Sequence, residues 1–171
     1  MALRSTASVP IVTREDALIE SFAGDGVLVI FNAVGDQPDH ALRAARTAIG
    51  LRKAVDALGA DRSDAAPRFH IGINTGPAFV RSVGAAGRRT FSAIGNTTNL
   101  GAQLQGFAGA GEIVVGVETW AQLGDLAHGE PLPKLRVKGK AHPMGAWRLD
   151  GLDITRPRSS QSWPDSDESM R

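Results

Sequence analysis

Two apolar runs meet at Gly24-Asp25-Gly26, and no other feature narrows the fold as much. Ala17-Leu18-Ile19-Glu20-Ser21-Phe22 precedes the junction and Val27-Leu28-Val29-Ile30-Phe31 follows it. Asp-Gly between apolar segments predicts a β-hairpin, because a type I′ turn needs positive φ. The second run is almost wholly apolar, so it is expected to be a strand buried on both faces.

The rest of the chain supplies alternating elements. Gly35-Asp36-Gln37-Pro38 breaks the pattern and opens a helix, since Pro suits a first turn whose N–H groups lack partners. Ala41, Ala44, Ala45, Ala48, Leu51, Ala54, Val55 and Leu58 recur at helical spacing, with Gly59 as the stop. Small alanines suggest close packing on a sheet. Residues 60–67 form a polar loop. Phe69-His70-Ile71-Gly72-Ile73-Asn74 alternates like a strand, Thr75-Gly76-Pro77 turns, and Ala78-Phe79-Val80 returns. Residues 84–89 form a basic loop. Thr90 to Ile94, a turn at Gly95-Asn96, a helix from about Thr98 to Phe107, a buried strand over 112–117 and a short helix over 118–123 follow. Residues 134–137 and 145–149 flank Lys138-Gly139-Lys140 as a closing hairpin. The order β-β-α-β-β-α-β-α-β-β describes an α+β sandwich with helices on one face of a mixed sheet. Residues 1–14 read as an irregular lead-in, 15–151 as one domain and 152–171 as a disordered tail.

Composition removes several functions. The 171 residues are 42% hydrophobic and 22% charged, ordinary for one globular domain with a sizeable core. Nineteen basic against eighteen acidic side chains leave a net charge of +1, which argues against a general nucleic-acid binder. There is no cysteine, so disulfides, thiolate metal sites and cysteine nucleophiles are excluded. No apolar run approaches the roughly 18 residues of a spanning helix, so no membrane partner is expected. Met1-Ala2-Leu3-Arg4-Ser5 lacks a signal-peptide core, and a cytoplasmic location is the expectation. Three Trp, six Phe and no Tyr offer no platform for stacking bases.

Few residues stand out chemically. Asp25 is either a turn former or a carboxylate ligand for Mg²⁺, which prefers oxygen. Asn96-Thr97-Thr98-Asn99 stands before a helix, where Asn and Thr usually cap. Lys138 in a tight hairpin is either a solvated charge or a phosphate holder. His70 on a strand is more often a satisfied core histidine than a catalyst. There is no G-x-x-x-x-G-K-[ST], H-E-x-x-H or G-x-S-x-G motif. Spacing alone discloses no function.

Taken in order, five stretches resemble the class III nucleotidyl cyclases, which make cyclic AMP or cyclic GMP. They are Ile19 to Phe31 around Gly24-Asp25-Gly26, then Gly72-Ile73-Asn74-Thr75-Gly76, then Phe91 to Leu100, then Gly111-Glu112-Ile113-Val114-Val115, and finally Val137-Lys138-Gly139-Lys140. The resemblance implies a ferredoxin-like α+β domain and head-to-tail dimers, either homodimers or heterodimers with another cyclase domain. It implies composite sites for ATP or GTP, with Mg²⁺ or Mn²⁺ held by two Asp carboxylates. Asp25 matches the second metal Asp, Asn99 the ribose-orienting Asn and Lys138 the phosphate Lys. Gln103 stands one helical turn after Asn99, where the family has a transition-state Arg. The base-selecting positions fall on Ser21 and Ser92, neither a Lys–Asp nor a Glu–Cys pair. A phosphate-binding Arg is replaced by His70, and Asn96 stands where many members carry Asp. The 24 residues before Asp25 are too few for the family's first β-α unit, which carries the other metal Asp. The leading expectation is therefore a degenerate cyclase domain with weak or no turnover alone, serving as a regulatory or pairing half. The others are an active cyclase with relaxed base preference whose true N-terminus is missing, a remnant that does not fold stably, and a non-enzymatic α+β interaction module.

Overall fold

Ile113, Val114, Val115 and Gly116 form a strand with no exposed position, and the fold is built around it. The computed structural model describes residues 8–23, 26–33, 35–59, 69–83 and 90–153. The elements are α1 (Ser8–Thr13), β1 (Leu18–Ala23), β2 (Gly26–Ile30), α2 (His40–Gly59), β3 (Ile71–Ile73), β4 (Phe79–Val83), β5 (Thr90–Ile94), α3 (Asn96–Phe107), β6 (Ile113–Gly116), α4 (Val117–Leu123), β7 (Ala127–Pro131) and β8 (Ala146–Leu152). The main sheet has the order β3-β6-β8-β7. β3 and β6 run parallel, joined by a crossover that includes α3, while β8 is antiparallel to both its neighbours. β1–β2 and β4–β5 are separate antiparallel ribbons, and β1 lies against β5. The expected strand pair on either side of Asp25 is present. Asp25 itself, the loops 60–68 and 84–89 and the segment 154–171 lie outside the described residues.

Side chains alternate across a strand, so an all-apolar β6 must be covered on both faces. Ile113 and Val115 pack with Ala41, Ala45 and Ala48 of α2 and Leu123 of α4. Val114 packs with Leu100 and Leu104 of α3 and with Val137. Helices thus lie on both faces of this strand, not on one face as the element order suggested. The alanine stripe of α2 packs against the sheet as its spacing implied. Trp120 of α4 and Trp147 of β8 stack on each other with centroids 5.4 Å apart. Among the described residues no helix is long and apolar enough to cross a membrane.

Three expectations are corrected. The lead-in over 1–14 contains α1, whose Val12 is fully buried and which packs on α2. Six residues span too few turns to display a period, and Pro10 sits where its missing N–H removes no helical bond. β2 is only half-buried, with Gly26 exposed, because it belongs to a two-stranded ribbon outside the main sheet. The partner of β8 is β7, not residues 134–137. β7 reads Ala-His-Gly-Glu-Pro and escapes pattern reading because it is a polar edge strand, the place where Pro is tolerated. Residues 134–144 instead form a loop closed by two backbone hydrogen bonds between Leu135 and Met144.

A polar knot fixes the exit of the β1–β2 ribbon. Gln37 is 6% exposed. Its side-chain oxygen accepts from the Asn32 amide at 2.6 Å, and its side-chain nitrogen donates to the Asp16 carbonyl at 3.1 Å. Arg43 donates to Asp39 and Asp16, and its hydrogen bond holds the Asp39 carboxyl below the usual carboxylate range. That small stabilisation is present above the ordinary Asp pKa and is lost as pH falls through the lowered folded value. Gln37→Ala leaves the Asn32 amide and Asp16 carbonyl without these partners and should cost about 1–3 kcal/mol. A thermal midpoint within error of the parent would show that the knot does not hold this corner.

Candidate functional site

The N-terminal half of α3 is seated on the loop after β3. Asn74 donates from Nδ2 to the Thr97 carbonyl at 3.1 Å, and Thr97 Oγ1 donates to the Pro77 carbonyl at 2.6 Å. Asn96, Thr97 and Thr98 are therefore the first turn of the helix itself. The capping position belongs to Gly95, which has no side chain to cap with, so the expected capping role of this stretch is not met. Asn99 is exposed on this turn. Gln103 lies one turn further along, on the same face by the i, i+4 rule.

Gln103 and Lys138 meet. The Gln103 Oε1 accepts from the Lys138 backbone N–H at 2.6 Å, and its Nε2 donates to the Lys138 carbonyl at 3.4 Å. The neighbouring Val137 is 6% exposed and packs with Leu100 and Leu104 of the same helix. The Lys140 N–H donates to the Val137 carbonyl at 3.1 Å, closing a β-turn with Lys138 and Gly139 at its centre. Gly139 has φ +85°, which the third position of such a turn requires and glycine adopts without strain. An open cleft of about 330 Å³ lies beside this turn, and Arg136, Lys138, Lys140 and His142 line it. These residues alternate in the sequence, a signal that was available but was read only at Lys138.

The other positions fall elsewhere. His70 donates from Nδ1 to the Ala108 carbonyl at 2.7 Å, since a carbonyl can only accept. That bond is at the far end of α3, roughly 13 Å along the axis from Asn99. Ser21 is on β1 at a register shift and pairs with Leu28, while Ser92 is on β5 and pairs with Arg81. Because β1 lies against β5, the two serines are on neighbouring strands. Asp25 lies outside the described residues, and among those described no group of three or more His, Asp or Glu side chains could hold a metal ion.

A parallel β-α-β crossover flanked by antiparallel strands, with an Asn on the helix and a Lys on a turn tied to that helix, makes this an α+β domain with a site shared between α3 and a distant turn. A family model described as the adenylate and guanylate cyclase catalytic domain matches residues 17–151. The chain belongs to that family. It is 31% identical over 148 residues to Adenylate cyclase 1 of Rhizobium meliloti, covering 83% of this chain and 22% of the relative. The chain therefore spans about a fifth of the length of that curated relative. Among solved structures, the adenylyl cyclase CyaB from P. aeruginosa superimposes with a TM-score of 0.75 at 26% identity, covering 88% of this chain and 80% of that one. The guanylyl cyclase Cya2 gives a TM-score of 0.73 at 28% identity, covering 86% of this chain and 76% of that one.

Proposed function

We propose that this domain binds a nucleoside triphosphate in a site completed by a second cyclase domain, and that it turns over weakly or not at all by itself. The observation that carries this reading is Gln103. It stands where the resemblance calls for a transition-state Arg, and its amide is engaged with the Lys138 backbone. Cyclisation forms a bond from the ribose 3′-oxygen to the α-phosphorus and breaks the bond to the leaving pyrophosphate, while the hydroxyl proton passes to solvent. Charge accumulates on the phosphate oxygens as this happens. A neutral amide already committed elsewhere offers that charge little, and losing one such donor typically costs about 10²–10³ in rate. Asn99 remains exposed for a ribose, and Lys138 stands beside a basic cleft suited to phosphates.

Pairing is supported by Phe79 on β4, which is 81% exposed, next to the half-exposed Val80. A second domain covering β4 would remove this apolar pair from water. For the metal, Asp25 has the right donor chemistry, since Mg²⁺ is commonly held by one or two carboxylates together with substrate phosphates. Phosphate oxygens of the nucleotide or the second domain would supply the remaining ligands. A bound Mg²⁺ or Mn²⁺ would supply charge neutralisation at the triphosphate. The serine pair, Ser21 and Ser92, does not favour adenine over guanine by charge, so both ATP and GTP are candidate ligands.

The test is cyclic-nucleotide production by the purified chain with Mn²⁺ and ATP or GTP over a range of protein concentrations. Folded protein that binds nucleotide with little or no turnover is the expected result. Turnover rising more than linearly with protein concentration would identify a working homodimer and overturn the low-turnover reading. Gln103→Arg is expected not to raise turnover, because Arg has no acceptor for the Lys138 N–H and so releases the turn.

A further inference from the structure

We propose that Gln103 is a positioning residue that presets a polyphosphate site by gripping the backbone of Lys138. The inference rests on the reading of Lys138 as a phosphate-binding group. One carboxamide satisfies both the N–H and the C=O of a single residue, as the opposite residue of an antiparallel strand would. Val137, one position earlier, is buried against Leu100 and Leu104. Two consecutive residues of the turn are thus fastened to one helix, the first by apolar packing and the second by an amide pair. The Leu135–Met144 bridge closes the loop behind them. The turn is consequently held with Arg136, Lys138, Lys140 and His142 around one cleft, and no carboxylate is among the described residues that line it. Like charges brought together in this way repel one another. A turn left to itself would relieve that repulsion by splaying, and an anion of several charges would have to draw it closed. The clamp removes that cost before the ligand arrives. The fitting ligand is a chain of phosphates, because a single phosphate would meet only part of a cleft of about 330 Å³.

The same geometry explains why Gln rather than Arg suits this position. Arg carries donors only, whereas the shorter of the two bonds requires an acceptor on the side chain. This chain therefore has a preset phosphate turn at the position where the resemblance calls for a transition-state charge.

Inorganic tripolyphosphate separates the possibilities, because it probes the cleft without base, ribose or turnover. Its affinity is measured by titration calorimetry at one fixed salt concentration for the parent chain, Lys138→Ala, Gln103→Met and the double variant. Met keeps the length and helix preference of Gln but has no amide. Lys138→Ala and Gln103→Met should each weaken binding by about tenfold, and the double variant should be weaker than either one alone, because alanine at 138 keeps the backbone groups that Gln103 holds and the clamp also places Arg136 and Lys140. Gln103→Asn keeps the amide but falls one methylene short, and it should reproduce the loss seen with Met. A loss in Lys138→Ala with none in Gln103→Met or Gln103→Asn overturns the positioning role and leaves the phosphate reading intact. No binding by the parent chain, or no loss in Lys138→Ala, removes the phosphate reading itself and the inference with it.

Discussion

Gly72→Ala is expected to destabilise the domain by about 3 kcal/mol or more, at the upper end of what overpacking a core site costs. A Cβ at position 72 would approach within 3.0 Å of the Gly101 carbonyl oxygen, the Gln105 amide nitrogen and the Gln105 Cα. All three are backbone atoms of α3, so no side chain can rotate away. The helix would have to lift from β3 and open the cluster of Leu100, Leu104 and Val114 beneath it. Because α3 also carries Asn99 and Gln103, the same shift would disturb the site. Gly106 on the same helix supplies the contrast. A Cβ there meets nothing within 4 Å, so Gly106→Ala should stabilise by about 1 kcal/mol through helix propensity. Urea denaturation of both variants checks the pair. A midpoint for Gly72→Ala equal to that of the parent would mean that α3 does not sit this close to the strand.

Lys138→Ala should weaken binding of ATP and GTP by about 10- to 100-fold, the range expected for one lost charge-assisted phosphate contact. Binding of the corresponding nucleosides should hardly change, because they carry no phosphate to lose. The loss should shrink as salt is raised, since the turn is exposed and its charges are screened. Fluorescence or calorimetric titration against nucleoside and triphosphate in parallel is the measurement. Equal losses for both ligands would point to a displaced turn, and no loss for either would return Lys138 to a solvated charge.

Much of the fold was legible because its signals are local. Asp-Gly between two apolar runs gave the β1–β2 pair. Alanines at helical spacing gave α2, and the apolar run after Glu112 gave a buried strand. Elements whose stability comes from elsewhere were not legible. α1 is six residues long and is held by one buried valine, and β7 is polar because it lies at a sheet edge. The buried character expected of β2 failed for a related reason. An apolar run shows that a strand could be covered, but its neighbours decide whether it is.

The candidate site divides the same way. The order of motifs from Asp25 to Lys138 was sufficient to indicate the family, and the family match over residues 17–151 bears that out. Sequence by itself also determined which side chains are present: Gln rather than Arg one turn beyond Asn99, and basic residues alternating through 134–142. Only the tertiary structure decided what those side chains meet. Gln103 and Lys138 are 35 residues apart, and nothing local couples them. They are joined because Val137 is drawn into the core beside Leu100 and Leu104, which brings the next backbone amide within reach of the helix. His70 was separated from the same site because its ring reaches the last turn of α3 rather than the first. Composition and periodicity report on neighbours along the chain, whereas a site assembled from a helix and a distant turn depends on how the core between them packs.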